Sequence, residues 1–276
     1  MTLMDTDQQV ASIIMAAGRG SRMKGYAGNK TLLPLEPGET VFIGRRPIIT
    51  HLMDNLPPGP KALVVNHGKD QVMAATGATG AQYCKQPVLN GTGGALLAAG
   101  DFVASQPAAH VIITMGDVPF VRRLTYETLV AGLADHDLMI LGFSPADKKQ
   151  YGVLEIEAGK VRKITEWKYW KDYPAVRQAA LTVCNSGIYA ARKSALVHYL
   201  SILASRPQIV HKEVDGKVTA IEEFFFTDLI EYMVQDGKPV GFHVAADESE
   251  TMGIDDVSAL EKAQSIYAAL KNRESV

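Results

Sequence analysis

An apolar run of five residues, Ala11 to Met15 (ASIIM), passes directly into AAGRGSRM, a bend of small residues that opens into polar, basic sequence. A short buried strand followed at once by glycines is how α/β folds bring backbone amides up to a phosphate. Glycine accepts positive φ and carries no Cβ to hold a ligand away. The downstream sequence has a matching rhythm. Pro47 to Leu56 has helical spacing with Pro in its first turn, Ala62 to Val65 (ALVV) has the composition of a buried strand, and Thr92 to Val103 is an Ala- and Leu-rich helical stretch. Val111 to Thr114 (VIIT) and Leu138 to Gly142 (LMILG) add two strands, with a helical segment from Thr125 to Leu133 between them. Such alternation predicts a doubly wound, largely parallel sheet with helical crossovers.

After about residue 148 the texture changes. Gly152 to Ile156 and Val161 to Thr165 form short strands, WKYWKDY (167–173) is aromatic and basic, and VCNSGIYAA (183–191) is strand-like. Thr227 to Val234 predicts a helix, Val240 to Val244 a strand, and Ser258 to Lys271 an amphipathic terminal helix. The Pro- and Gly-rich NLPPGP (55–60) joins a helix to a strand and does not separate domains. Trp167 and Trp170 are expected to pack this second region.

Composition excludes several classes. Apolar residues at 47% and charged residues at 21% match an ordinary globular chain, so neither a disordered nor a fibrous protein fits. A net charge of -2, with Lys and Arg dispersed, argues against a surface for long nucleic acids or anionic membranes. Cys84 and Cys184 belong to no CxxC or Cys/His ligand spacing, which predicts buried free thiols. The start MTLMDTDQQV lacks the basic flank and apolar core of a leader, and no run of about 18 apolar residues occurs. A cytoplasmic protein is expected.

Two phosphate motifs are excluded by single residues. GRGSRM has Met23 where a dinucleotide fingerprint needs its third Gly, and GYAGNKT has Asn29 interrupting the GK[ST] of a P-loop. Instead AAGRGSRM, followed by Lys30 and LLPL, resembles the LxAGxGxRM signature and downstream lysine of the sugar-1-phosphate nucleotidyltransferases, or pyrophosphorylases. The resemblance implies that the backbone of Ala16, Ala17 and Gly18 holds the base, that the loop through Gly20 with Arg19 holds the triphosphate, and that Lys30 contacts phosphate. KQPVLNGTGGAL resembles the Gln-then-GTGxA segment of the bacterial N-acetylglucosamine-1-phosphate uridylyltransferases, with Gly94 where that family commonly has His. It implies a uracil site at Gln86, Gly91 and Thr92. A Gln amide offers a donor and an acceptor to the imide edge of uracil, and Thr92 is equally a good helix N-cap.

Asp117, in MGDVPF, follows the VIIT strand at the carboxyl end, where open α/β sheets bind ligands. By resemblance GDVP is the family's metal-binding motif, with Met115 in place of its usual aromatic residue. GIDD resembles the later segment that supplies a second ligand, Asp255, where the family typically has Asn. Magnesium accepts an oxygen from either. Asp255 or Asp256 could equally cap the helix starting near Val257. QYGVL, ITEWK and NSGIY resemble the family's YGR, (I/V)xE and NTGI segments, which implies sugar contacts from Gly152, Glu166 and Asn185. EEFFFTDLIEYMVQDGKPV resembles its YLTD helix and following strand.

The resemblance spans about Ile13 to Leu260 and implies an α/β, Rossmann-like, mixed and mostly parallel sheet flanked by helices, with a small sugar-binding lobe. Residues 1–276 are expected to form one domain: a nucleotide-binding half at about 10–147, a sugar-binding half at about 148–260 and a C-terminal helix at 258–272. The implied reaction joins an NTP, UTP by the uridylyltransferase resemblance, to a sugar 1-phosphate such as N-acetylglucosamine 1-phosphate, with Mg2+ and release of pyrophosphate. Competing readings are a cytidylyltransferase, a molybdopterin-type guanylyltransferase or a catalytically silent nucleotide-sugar-binding subunit. The bifunctional members carry hexapeptide repeats for acetyl transfer; this sequence shows none, so that activity is not expected. Composition and spacing do not specify an oligomeric state.

Overall fold

The computed structural model describes residues 10–20, 22–214 and 217–274. The N-terminal stretch read as leaderless therefore lies outside the described residues through residue 9, as does Ser21 of the glycine bend. In chain order the first part contains β1 (Val10–Met15), a short 3₁₀ turn (Lys30–Leu32), the hairpin β2 (Pro34–Thr40) and β3 (Ile43–Pro47), α1 (Ile48–Asn55), β4 (Lys61–Val65), α2 (Lys69–Thr76), β5 (Gln82–Lys85), α3 (Gly91–Ala98), α4 (Gly100–Ser105), β6 (His110–Met115), α5 (Arg123–Ala131) and β7 (Leu138–Phe143). The second part contains β8 (Val153–Glu157), β9 (Lys160–Thr165), α6 (Trp167–Trp170), α7 (Ala175–Ala180), β10 (Cys184–Arg192), α8 (Lys193–Ala204), the hairpin β11 (Gln208–Val214) and β12 (Lys217–Glu223), α9 (Phe226–Gln235), β13 (Val240–Val244) and α10 (Val257–Glu274).

The main sheet runs β13-β7-β10-β6-β1-β4-β5, with β8 and β9 branching from β10. Along that path neighbours are parallel except at β10, which is antiparallel to both β6 and β7, and the β8–β9 branch is antiparallel. The expected mixed, mostly parallel sheet is thus what forms. β1 lies at its centre, between β4 and β6. That position explains its unbroken apolar sequence: Ala11 and Ile13 pack into the core on one face, Val10 and Ile14 into the core on the other. A third cluster, of Met23, Leu33, Leu35, Ile48, Phe120, Ile254, Leu260 and Ala263, lies beneath the glycine bend and anchors α10.

Several elements differ from expectation. The stretch from Thr92 to Val103 is two helices, because Ala99 closes α3 with a 3.0 Å bond to the Leu96 carbonyl and Gly100 begins a new helix. Pro47 precedes α1 and does not form its first turn. The hairpins β2–β3 and β11–β12, the four-residue β5, and the helices α2 and α8 go beyond what the sequence pattern predicts. PLEPGET reads as turn sequence, and α2 (KDQVMAAT) buries only Val72 and Thr76, too few for a helical period to register. Cys84 and Cys184 are buried free thiols. Trp170 is buried against Phe143, Val153 and Leu181, with Trp167 at the edge of that cluster. Among the described residues no helix is long and apolar enough to cross a membrane.

Candidate active site

The carboxyl ends of β1 and β6 lie side by side, and the chain leaves both through small residues. The Gly116 N–H donates to the Met15 carbonyl at 2.9 Å, and a Cβ on Gly116 would sit 2.8 Å from that oxygen, so only glycine passes. Asp117 comes next. Its carbonyl accepts the Ile254 N–H at 3.0 Å, which ties the segment before α10 to the exit of β6 and brings Asp255 across 138 residues of sequence.

Lys30 joins the two acids. Its Nζ donates to Asp255 Oδ1 at 2.7 Å and makes a close ion pair with Asp117 Oδ2, while Arg22 Nη2 reaches Asp255 Oδ2 at 3.0 Å. Burial alone would lower the Lys30 pKa. The charges of Asp117 and Asp255, and their hydrogen bonds, outweigh it and hold the pKa above the ordinary lysine value. The ammonium therefore stays charged throughout the neutral range.

Asn29 fixes where Lys30 stands. It is fully buried, and its Nδ2 donates to the Ala16 and His67 carbonyls, each at 2.8 Å, while Oδ1 accepts from Thr31 N at 3.0 Å and Thr31 Oγ1 at 2.8 Å. The residue that breaks a P-loop reading thus clamps the end of β1 to the turn that carries Lys30. Gly20, at φ +60, packs on the Lys30 stem, since a Cβ there would lie 3.3 Å from Lys30 Cβ, Cγ and Cδ.

These groups line one cavity of about 350 Å³. Ala16, Ala17, Gly18 and Gly20 form one wall, Gln86, Gly91 and Thr92 another, and Lys30, Asp117 and Asp255 sit together at one end. Gln86 is buried, with Nε2 donating to Asn90 Oδ1 at 3.1 Å and to the Gly91 carbonyl at 3.2 Å. Thr92 lies inside α3 and is not its N-cap. Its Oγ1 accepts from Phe226 N at 3.2 Å, joining α3 to the start of α9. Arg19 is exposed at the apex of the bend and outside this lining, with no partner among the described residues; Arg22 lines the cavity instead. Sequence reasoning passes over Arg22, although it directly precedes Met23, which is buried and holds that end of the loop down. Asp256 points elsewhere: its Oδ1 accepts the Ala259 N–H at 2.8 Å and caps α10.

Gly152, Glu166 and Asn185 meet one another beside the cavity. The Asn185 N–H donates to the Gly152 carbonyl at 2.8 Å, and a Cβ on Gly152 would lie 3.3 Å from Glu166 Oε2. Asn185 Nδ2 donates to the Tyr189 hydroxyl at 2.8 Å, and its Oδ1 accepts from Gly187 N at 3.1 Å. Gly187, at φ +78 in the bulge of β10, lies against cavity-lining Met115, so the cluster adjoins the cavity through that contact. The Glu166 carboxylate has no hydrogen-bond or ion-pair partner among the described residues. Burial raises its pKa above the usual carboxylate value, opposed by the Lys168 charge.

No group of three or more His, Cys, Asp or Glu suited to a metal occurs among the described residues. Asp117 and Asp255 nonetheless each direct an oxygen at one point, held by the Lys30 ammonium. Two such oxygens fit a hard cation that takes its remaining ligands from phosphate and water, the habit of magnesium.

Residues 12–212 match the family model described as the MobA-like NTP transferase domain. The bifunctional protein GlmU of Novosphingobium aromaticivorans is 31% identical over 264 residues, which cover 94% of this chain and 52% of that protein. GlmU of Sphingopyxis alaskensis is 31% identical over 273 residues, covering 97% and 54%. The chain thus spans about half the length of these relatives. A solved Bacillus anthracis structure, described as a glucose-1-phosphate thymidylyltransferase in complex with a sucrose, aligns with a TM-score of 0.63 at 18% identity, over 94% of this chain and 95% of that one. That likeness establishes a common fold.

Proposed function

The chain belongs to the family of MobA-like NTP transferase domains, and from that premise we propose that it transfers uridylyl from UTP to a sugar 1-phosphate, with N-acetylglucosamine 1-phosphate as the first acceptor to test, releasing pyrophosphate. The observation that carries the reading is the convergence of Lys30, Asp117 and Asp255 at one end of the cavity walled by the glycine bend. The acceptor phosphate monoester has its second pKa near ~6, so its oxygen is already ionised at neutral pH and needs no general base. It attacks the α-phosphorus, and the bond to the bridging oxygen breaks as pyrophosphate leaves. What the protein supplies is alignment of two anions and relief of their repulsion.

Each group then has a part. Lys30 and Arg22 offer positive charge to the phosphates, and Arg19 at the loop apex is available to the outer end of the triphosphate. Asp117 and Asp255 would hold magnesium, which neutralises charge on phosphate oxygens. Gly152, Glu166 and Asn185 would receive the sugar, whose hydroxyls suit an unpaired carboxylate. Uracil is favoured because Gln86 Nε2 is engaged within the protein and its Oε1 remains as an acceptor for the N3–H.

A panel of four nucleoside triphosphates against several sugar 1-phosphates, read by pyrophosphate release, tests the reading directly. Asp117→Asn keeps the shape and removes the charge, and turnover should drop by at least about 100-fold with an unchanged circular dichroism spectrum. Pyrophosphate release at the native rate would remove Asp117 from the reaction.

A further inference from the structure

We propose that Asn90 and Gly94 set the base specificity of this site by locking the side-chain amide of Gln86, an inference that rests on the uridine reading above. The two groups facing Gln86 Nε2, Asn90 Oδ1 at 3.1 Å and the Gly91 carbonyl at 3.2 Å, are both acceptors. A backbone carbonyl has no other role, so the amide nitrogen must point that way. Both amide protons are consumed inside the protein, and Oε1 is what the side chain has left for a ligand. Turning the amide over would set Oε1 against two oxygens and strand the NH2 group, in a residue only 3% exposed.

Asn90 does not line the cavity, so it acts through Gln86 as a positioning residue. Its backbone is held at both ends, with its N–H donating to the Val88 carbonyl and its carbonyl accepting from Phe224 N, each at 2.9 Å. Its side chain folds back over the first turn of α3, and Gly94 makes that possible. A Cβ on Gly94 would lie 1.9 Å from Asn90 Oδ1, so any other residue there evicts the amide that holds Gln86. Asn90 and Gly94 are therefore one device in two residues.

The device selects by chemistry. A fixed acceptor meets the N3–H of uracil or thymine, whereas cytosine seated the same way presents a lone pair at N3 and is repelled. A Gln free to turn would serve either base. Releasing one of its two internal bonds lowers the cost of turning, and discrimination should decline accordingly.

Calorimetric titration of the full chain with UTP and with CTP, both with magnesium, tests this without an acceptor sugar. The native protein is expected to favour UTP, and the UTP-to-CTP affinity ratio should shrink about tenfold in Asn90→Ala and in Gly94→Ala. Asn90→Asp keeps an acceptor toward Gln86 and should retain the native ratio. Gly94→Ala raises helix propensity, and a ratio measured on one preparation does not depend on the folded fraction, so loss of fold cannot mimic the effect. A native preference for UTP that survives both alanine substitutions overturns the inference alone. A native protein that binds CTP as tightly as UTP overturns the uridine reading, and the inference with it.

Discussion

At Lys30 three charges share one largely enclosed place, and each offsets another. The ammonium answers two carboxylates, and while these are ionised its raised pKa adds stability that is present at neutrality and is lost as pH rises through that raised value. Glu166 is the opposite case: a half-buried carboxylate without a partner among the described residues, its pKa lifted chiefly by desolvation. A raised carboxyl pKa means that the folded state holds its proton longer than the unfolded chain does. The contribution to stability is therefore present below the unfolded value and lost as pH climbs through the folded one. Glu166→Gln should melt higher than the native protein at pH 7 and no differently at pH 3.5, while the KM for the sugar 1-phosphate rises about tenfold through the lost charged hydrogen bonds. An equal melting shift at both pH values would mean that the carboxylate charge is not what strains the fold. Sequence singles out Lys30, Asp117 and Glu166 because motifs record residue types. Arg22 could not be preferred to Arg19 so directly, because the difference lies in which side of a bend each occupies. That is set by Met23 sinking into the cluster beneath.

Among the elements, those with strong periods were legible and those held by neighbours were not. β1, β4, β6 and β7 announce themselves as apolar runs because both faces are covered. β5 (QYCK) buries one residue, Cys84, and exists because β4 offers it an edge. No local pattern records an edge supplied from elsewhere in the chain. α10 was legible as a helix, but not the division of labour at its start between adjacent aspartates. Asp256 caps it, and Leu260, Ala263 and the Gln264 amide, which donates to the Pro34 and Val41 carbonyls at 2.9 and 2.8 Å, seat it on the β2–β3 hairpin. Asp256→Ala should accordingly cost about 1 kcal/mol of stability, the usual loss of an N-cap, and change turnover less than twofold. Urea denaturation measures the first and pyrophosphate release the second. A collapse of turnover at unchanged stability would place Asp256, and not only Asp255, at the cation.

For the molecule as a whole, the division into halves that the sequence texture suggests meets a topological obstacle. β10 belongs to the second stretch of chain, yet it lies between β6 and β7 of the first, antiparallel to both. The larger core likewise mixes Ala11, Ile13 and Val111 with Leu154, Val161, Leu196 and Leu229. The sequence of residues 183–191 predicts a strand but says nothing about which strands it will separate, because that choice is made by long-range burial. Removing β10 would leave β6 and β7 each unpaired along one edge, β6 still joined to β1 and β7 to β13, and open the core between them, so neither half should persist without the other. Unfolding should then be one cooperative event. The two tryptophans, Trp167 and Trp170, both lie in α6 directly after Glu166, so intrinsic tryptophan fluorescence reports on that lobe while far-UV circular dichroism reports on every helix and strand. The two signals should give coincident denaturation curves in urea, with one midpoint. If fluorescence were lost at lower urea than ellipticity, the lobe would be a separate body. The cluster of Gly152, Glu166 and Asn185 and the cavity at the glycine bend would then be joined only by a hinge and not by a shared strand.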